Sequence, residues 1–252
     1  MTQSKSAVNF LGLNLHPLTM QETLSRCEEL IEARNSQHVV INAAKVVSAS
    51  ESEELMQIIN SCELVNADGM AIVWASRVLG IPVPERVAGI DLMHQLVKLS
   101  SLKNLSIYLL GAEEDVSQKV YENFIRQGAN VVGRRNGFWS DLEEAIIVSE
   151  ISDAAPDLLF IAVPSPKKEF FLSNHLPELN CGLVVGVGGS FDIVAGKTKR
   201  APKWLQKSGL EWFYRLAQEP RRMLKRYAVG NTKFVLLVVR ELVHARKLDS
   251  KR

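Results

Sequence analysis

The sequence is poor in cysteine and lacks any apolar run long enough to cross a membrane. Its 252 residues include three cysteines, Cys27, Cys62 and Cys181, which lie far apart and form no CxxC pair. A disulfide framework and a CxxC metal or redox motif are therefore excluded, and buried thiols in a reducing compartment are expected. The N-terminus has no apolar run long enough for a signal peptide, and no segment approaches the roughly 18 to 20 apolar residues of a membrane span. Any contact with a membrane is expected to be peripheral.

Two further absences concern ligands. No Asp-x-Asp triplet occurs, and the five histidines are scattered without the spacing of metal ligands. We therefore expect no dedicated metal site. The GxGxxG spacing of a dinucleotide fingerprint is also missing, which argues against a nucleotide-dependent oxidoreductase. We expect the protein to need no cofactor.

Lysine and arginine are concentrated at the C-terminal end of the chain. The net charge is +2, but residues 197–252 hold sixteen basic and four acidic side chains, a balance of +12, and residues 1–196 carry −10. Such a split favours an anionic partner at one end, either a nucleic acid or an anionic lipid surface. A solvated basic face is the alternative.

Short apolar runs alternate with helical patterns through the first 196 residues, which is typical of βα units and a largely parallel sheet. Strands are predicted at residues 38–42, 63–65, 105–110, near 131, 158–163 and 183–187. Helices are predicted at residues 52–61, 70–79, 91–102, from after Gly111 to about 127, and 141–154. The last two strands are apolar enough to be central. We predict a Rossmann-like α/β fold with helices on both faces. Residues 1–196 would form the catalytic domain and residues 197–252 a basic helical C-terminal appendage.

Polar residues at the carboxyl ends of these strands are the candidates for chemistry, because ligands bind there in open parallel sheets. Asp68, in the segment Asn66-Ala67-Asp68-Gly69, either caps the next helix or acts as a general base. Arg86 lies in a proline-rich loop, where it either pairs with Glu85 or another neighbour, or binds a phosphate.

Two later strand ends carry glycines and lysines. Gly188 and Gly189 would let backbone N–H groups approach a phosphate or a sugar, although a tight turn explains them almost as well. Lys167 and Lys168, followed by Glu169, begin a helix, and their charge there favours a phosphate. Exposed lysines without a ligand are the more common case.

The C-terminal segment contains a dense cationic stretch at residues 215–226. Within it Arg222 and Arg226 are like charges one helical turn apart, as are Arg221 and Lys225, so a nearby anion would relieve their repulsion. The apolar helix at residues 234–243 suits a membrane interface, a homo-oligomer contact or ordinary core packing.

Three segments together resemble the WecG/TagA/CpsF family of glycosyltransferases over residues 8–227. They are NADG at 66–69, ERVAGIDL at 85–92, and residues 186–226, which contain GVGGSFDIVAGKTKRAP, GLEWFYRL and EPRR. No single segment is specific, whereas their joint occurrence in this order is. The resemblance implies an inverting, metal-independent transferase that glycosylates an undecaprenyl-diphosphate-linked sugar at the inner membrane face.

The resemblance also implies roles for individual residues, with Asp68 as the general base. It also implies that Asn42 and Arg86 lie in the substrate pocket and that the loop with Lys168 contacts the donor or acceptor sugar. Together with Asn66, Glu169, Gly188 and Gly189, these are the predicted substrate-binding residues. Those implied to bind the diphosphate of the donor, in an appendage that also holds the lipid surface, are Arg215, Arg221, Arg222 and Arg226. Lys168 stands where many members have glutamine, and Pro164 stands near the usual glycine. This departure leaves open which sugar is donated.

The predicted protein is therefore a cytoplasmic enzyme, peripheral on the inner face of the cell membrane. It would move a sugar, of N-acetylmannosamine type, from a UDP-sugar to a lipid-diphosphate-linked acceptor in cell-surface polysaccharide or teichoic acid synthesis. A uronic acid or a neutral hexose is the alternative donated sugar. A non-enzymatic nucleic-acid-binding protein would explain the basic tail but not the acidic domain with polar strand ends, so we expect no nucleic-acid partner.

Overall fold

A computed structural model describes residues 6–218 and 220–249 of the chain. Within these ranges, the side chains at positions 141, 207, 215, 221–228, 245–246 and 248–249 lie outside the described part.

A parallel sheet of six strands forms the centre of the described part, in the order β4-β3-β8-β7-β5-β6. A short antiparallel hairpin, β1 with β2, precedes it. The strands are β1 Val8–Phe10, β2 Leu13–Leu15, β3 Ser36–Ile41, β4 Leu64–Ala67, β5 Ser106–Gly111, β6 Asn130–Arg135, β7 Leu158–Ala162 and β8 Leu183–Gly186. The two runs predicted as central, β7 and β8, lie inside the sheet and pair with each other, which confirms that prediction.

Helices cover both faces of this sheet. They are α1 Met20–Ala33, α2 Ala43–Ser50, α3 Glu53–Asn60, α4 Met70–Val78, α5 Gly89–Lys103, α6 Glu114–Arg126, α7 Glu144–Ala154, α8 Lys167–His175, α9 Ser190–Val194, α10 Lys203–Lys207, α11 Glu211–Gln218 and α12 Pro220–Asp249. Successive strand residues point to opposite faces: Leu158 and Phe160 pack in the cluster with α1, α5 and α6, whereas Leu159 and Ile161 pack with α7 and α8. The predicted α/β class, with helices on both faces, is confirmed.

Some elements differ from the sequence prediction. The prediction missed α1, α2 and the β1–β2 hairpin. Strand β4 continues through Asn66 and Ala67, which the prediction placed after the strand. The helix predicted at residues 141–154 is a 3₁₀ turn, Asp141–Glu143, followed by α7. Short runs and turns of this kind carry too little periodicity to be recognised in one sequence.

The long C-terminal helix α12 packs on the body of the protein through α2. Phe234 and Val238 are buried in the cluster that contains Val46 and Val47 of α2. Other apolar side chains of α12 are exposed, namely Val229, Val235, Leu236, Val239 and Val243. The helix therefore combines core packing with an exposed apolar surface. No helix in the described ranges is both long and apolar enough to span a membrane.

Candidate active site

A cavity of about 1630 Å³ opens at the carboxyl ends of the central strands. Its wall includes Asn42 after β3, Asp68 after β4, Pro164 after β7 and Gly188 after β8. The far wall comes from the C-terminal segment, including Glu211 of α11 and the α12 residues Val229, Gly230 and Lys233. The strand ends and the appendage therefore enclose one space, in the place that parallel α/β sheets use for ligands.

Asp68 is a half-buried carboxylate in the cavity wall. Its backbone N–H donates to the carbonyl oxygen of Ile41, 2.8 Å away, which fixes it beside the end of β3. The residue that caps α4 is Gly69, so the capping interpretation of Asp68 is wrong. The pKa of Arg200 is raised mainly by its hydrogen bond to Asp91, and the negative charge of Asp68 adds to this increase.

The two asparagines predicted to bind substrate lie in different environments. Asn42 lines the cavity, and its side-chain oxygen caps α2 by accepting from the backbone N–H of Lys45 at 3.0 Å. Asn66 is completely buried within β4. Its amide contacts Thr23 at 3.2 Å and the ring of His38 at 3.1 Å. The structure therefore brings Asn42, but not Asn66, to the cavity wall.

Lys45, Lys168 and Glu169 form a buried cluster beneath the cavity. One oxygen of Glu169, Oε1, accepts a hydrogen bond from Lys45 Nζ at 2.7 Å and forms an ion pair with Lys168 Nζ at 3.0 Å. Burial alone would raise the pKa of Glu169, but the two ammonium groups outweigh it and lower this pKa to about 2. Burial and the charge of Lys45 lower the pKa of Lys168 to about 8. The other Glu169 oxygen, Oε2, is buried without a hydrogen-bond partner among the described residues.

The remaining predicted strand-end residues also reach the cavity. Gly188 and Gly189 line it, and Gly188 has a φ of +52°, which a residue with a side chain rarely adopts. Lys167 stands over the ring of Trp139, 4.1 Å from its centroid, and donates to the carbonyl oxygen of Trp139. Lys167 therefore has protein partners, whereas the glycines leave backbone accessible.

Two half-buried ion pairs join the C-terminal segment to α5 and to the loop before it. Arg86 pairs with Glu211 at 2.7 Å, and not with Glu85, which instead accepts from the backbone N–H of Met20. Arg200 binds Asp91 through two hydrogen bonds, of 2.7 and 2.6 Å. The segments that contain ERVAGIDL, GKTKRAP and GLEWFYRL are therefore in direct contact.

The four arginines predicted to bind a diphosphate are in this same C-terminal segment. The side chains of Arg215, Arg221, Arg222 and Arg226 lie outside the described residues, so their predicted role stays a prediction.

Sequence reasoning missed Lys45, Asp91, Arg200 and Glu211. A signal for Lys45 existed, since it follows a predicted strand end by a few residues, but α2 was not recognised. The partners of the ion pairs are more than 100 residues apart, and no local pattern links such positions.

The fold and the cavity together define an α/β enzyme with polar side chains gathered at the ends of parallel strands. The chain belongs to the glycosyl transferase WecG/TagA/CpsF family, whose model matches residues 8–248. It is therefore a glycosyltransferase, and the non-enzymatic alternative is wrong. The match also extends beyond residue 227 and includes the terminal helix that the sequence resemblance had left unassigned.

Two bacterial relatives cover most of the chain. A Bacillus subtilis protein is 30% identical over 203 residues, which are 80% of this chain and 78% of the relative. A Staphylococcus aureus protein is 26% identical over 243 residues, which are 95% of this chain and 93% of the relative. Both are named N-acetylglucosaminyldiphosphoundecaprenol N-acetyl-beta-D-mannosaminyltransferase.

The buried cluster predicts a large stability loss when its carboxylate is removed. Glu169→Gln would leave two buried ammonium groups without a counter-charge, and we expect the free energy of unfolding to fall by about 3 to 5 kcal/mol. Because the pKa of Glu169 is lowered from 4.5 to about 2, its stabilising effect is present above pH 4.5 and is lost as the pH falls toward 2.

Urea unfolding between pH 7 and pH 2 measures both effects. Glu54→Gln, an exposed change of the same type on α3, is the control and should stay within about 0.5 kcal/mol of the unchanged protein. Equal losses in the two variants at pH 7 would contradict the assigned role of Glu169.

Proposed function

We propose that this glycosyltransferase moves an N-acetylmannosamine-type sugar from a UDP-sugar to an undecaprenyl-diphosphate-linked acceptor sugar. The names of the two relatives support the donated sugar and the lipid-linked acceptor. The product would enter cell-surface polysaccharide or teichoic acid synthesis. The donated sugar could instead be a uronic acid or a neutral hexose, because Lys168 replaces a glutamine that many members carry.

The observation that carries the mechanism is the half-buried Asp68 carboxylate in the cavity wall, which does not cap α4. In the proposed step, Asp68 takes the proton of the acceptor hydroxyl as its oxygen attacks the anomeric carbon. The bond between that carbon and the phosphate oxygen breaks, and UDP leaves. Direct attack from the opposite side inverts the anomeric configuration.

Departure of UDP places negative charge on the leaving diphosphate. We assign its stabilisation to lysine and arginine side chains and not to a divalent ion, because oriented cations near a developing charge lower the barrier. Arg215, Arg221, Arg222 and Arg226 are the proposed partners in the appendage. The pairs Arg86–Glu211 and Arg200–Asp91 support this assignment, since they hold the appendage against the cavity.

The lipid-linked acceptor requires contact with a membrane, which we assign to the C-terminal segment on the inner face. The +12 charge of residues 197–252 favours an anionic surface, by about 1 kcal/mol for each basic residue that reaches it. Exposed apolar side chains lie beside this charge, including Trp204, Phe213 and Leu236. Such a combination is typical of peripheral proteins that insert apolar side chains at the interface.

Replacing the proposed base should stop transfer without unfolding the protein. For Asp68→Asn we expect transfer to fall by about 10²- to 10⁴-fold while UDP binding is kept, because a positioned base contributes about that much. The measurement is UDP release with an N-acetylmannosamine donor and a short-chain lipid-diphosphate acceptor, in buffer with excess EDTA.

Asp153→Asn, an exposed change of the same type on α7, is the matched control and should keep full activity. Near-normal transfer by Asp68→Asn would remove Asp68 from the mechanism. Loss of wild-type activity in EDTA, restored by Mg²⁺ or Mn²⁺, would contradict the metal-independent step.

Membrane binding is expected to depend on the exposed apolar side chains of α10 and α11. The double variant Trp204→Ser, Phe213→Ser should float less with anionic liposomes than the unchanged protein, most clearly at high salt, where the attraction of basic residues is screened. Leu102→Ser, which alters a more exposed residue at the end of α5, is the control. Equal flotation of all three proteins would exclude this surface as the membrane contact.

A further inference from the structure

The cluster beneath the cavity has one positive charge in excess. At neutral pH Lys45 and Lys168 bring two ammonium groups, and Glu169 is the one carboxylate that the described residues place within ion-pair distance of either. The three side chains are 7%, 8% and 1% exposed. An excess charge buried to this degree is costly unless an anion compensates it.

The two ammonium groups lie close together on the ligand side of the sheet. Both contact the same oxygen of Glu169, so they repel each other and are near enough to share a second anion. Both lysines also line the cavity. The stem of Lys168 runs past the end of β8, where a methyl group on Gly186 would come within 3.0 Å of its Cε atom.

We propose that Lys45 and Lys168 form an anion-binding subsite that takes a negatively charged oxygen of the donor. The inference rests on the proposed function in taking that donor to be a UDP-sugar. Two parts of such a donor have a negatively charged oxygen, namely the diphosphate and, in a uronic acid sugar, the carboxylate. A bound oxygen would restore charge balance in the cluster and would hold the donor at the ends of β3 and β7.

The subsite has a pH dependence that ordinary packing would not produce. The charged groups that face Lys168 are Lys45, on α2, and Glu169, its neighbour on α8. His38 has a pKa of about 4 and Cys62 a pKa of about 12, so both of these nearby side chains are uncharged near pH 8. A bound anion favours the protonated form of Lys168. Affinity should therefore be full below pH 8 and should decline as the pH rises from 8 toward 10.

The test compares Lys168→Gln with the unchanged full-length protein by calorimetry. The ligands are UDP, UDP-glucose, UDP-glucuronate and inorganic pyrophosphate, each at pH 7.5 and at pH 9.5. Loss of a charged hydrogen bond should weaken binding on the order of 10- to 100-fold at the lower pH, and the variant should lose the dependence on pH. Lys119→Gln, an exposed change of the same charge on α6, is the matched control and should bind as the unchanged protein does.

The ligands separate the two sources of the anion. Weaker binding of UDP and UDP-glucose assigns the subsite to the diphosphate, and weaker binding of UDP-glucuronate alone assigns it to a carboxylate. Unchanged affinity for all four ligands overturns the proposal. If the unchanged protein binds pyrophosphate but no uridine compound, the proposed donor is wrong, and the pyrophosphate affinity of the variant still decides the subsite.

Thermal unfolding without ligand separates this role from a structural one. Lys168→Gln removes the excess cation and leaves the Lys45–Glu169 pair intact, so the melting temperature should stay the same or rise. A lower melting temperature together with unchanged affinity would mean that Lys168 serves only to hold α8.

Discussion

The arrangement of the cavity depends on the shared oxygen of Glu169. This carboxylate lies at the start of α8, after β7, and its pair with Lys45 connects it to the start of α2, after β3, across the end of β8 that lies between those strands. Two helix starts are thereby held at a fixed separation beneath the site. Loss of the one carboxylate would leave two buried ammonium groups without a counter-charge, so the geometry of the floor and its electrostatics are set by the same three side chains.

The other wall depends on contacts between distant segments. The Arg86–Glu211 and Arg200–Asp91 pairs bring α11 and the segment before α10 against α5 and the loop that precedes it. Phe234 and Val238 dock α12 on α2, which itself begins at the cavity. The segments that identify the family are thus one connected surface around Asp68. These contacts explain why the basic C-terminal segment lines the cavity although its sequence character differs from that of the sheet.

Much of this structure could be predicted from the sequence. The apolar runs of β7 and β8 identified the centre of the sheet, and the position of Asp68 at a strand end identified the cavity edge. Asn66 was not distinguishable from a ligand-facing residue, because its burial depends on His38 and Thr23, which are remote in sequence. Lys45 looked like an ordinary helix residue, since its importance comes from a carboxylate 124 positions away. Pairings of this kind are set by strand order, which one sequence does not reveal.

The central claim is a direct displacement in which Asp68 takes the proton of the acceptor hydroxyl. That hydroxyl is then the only nucleophile, and no side chain attacks the sugar. Its most direct measurement is the anomeric configuration of the enzymatic product, determined by NMR from an α-linked UDP-sugar and a lipid-diphosphate-linked acceptor. The account predicts a β-linked product, in agreement with the beta linkage in the names of the two relatives. An α-linked product would mean retention of the anomeric configuration, which a single attack from the opposite face does not give, and would contradict it.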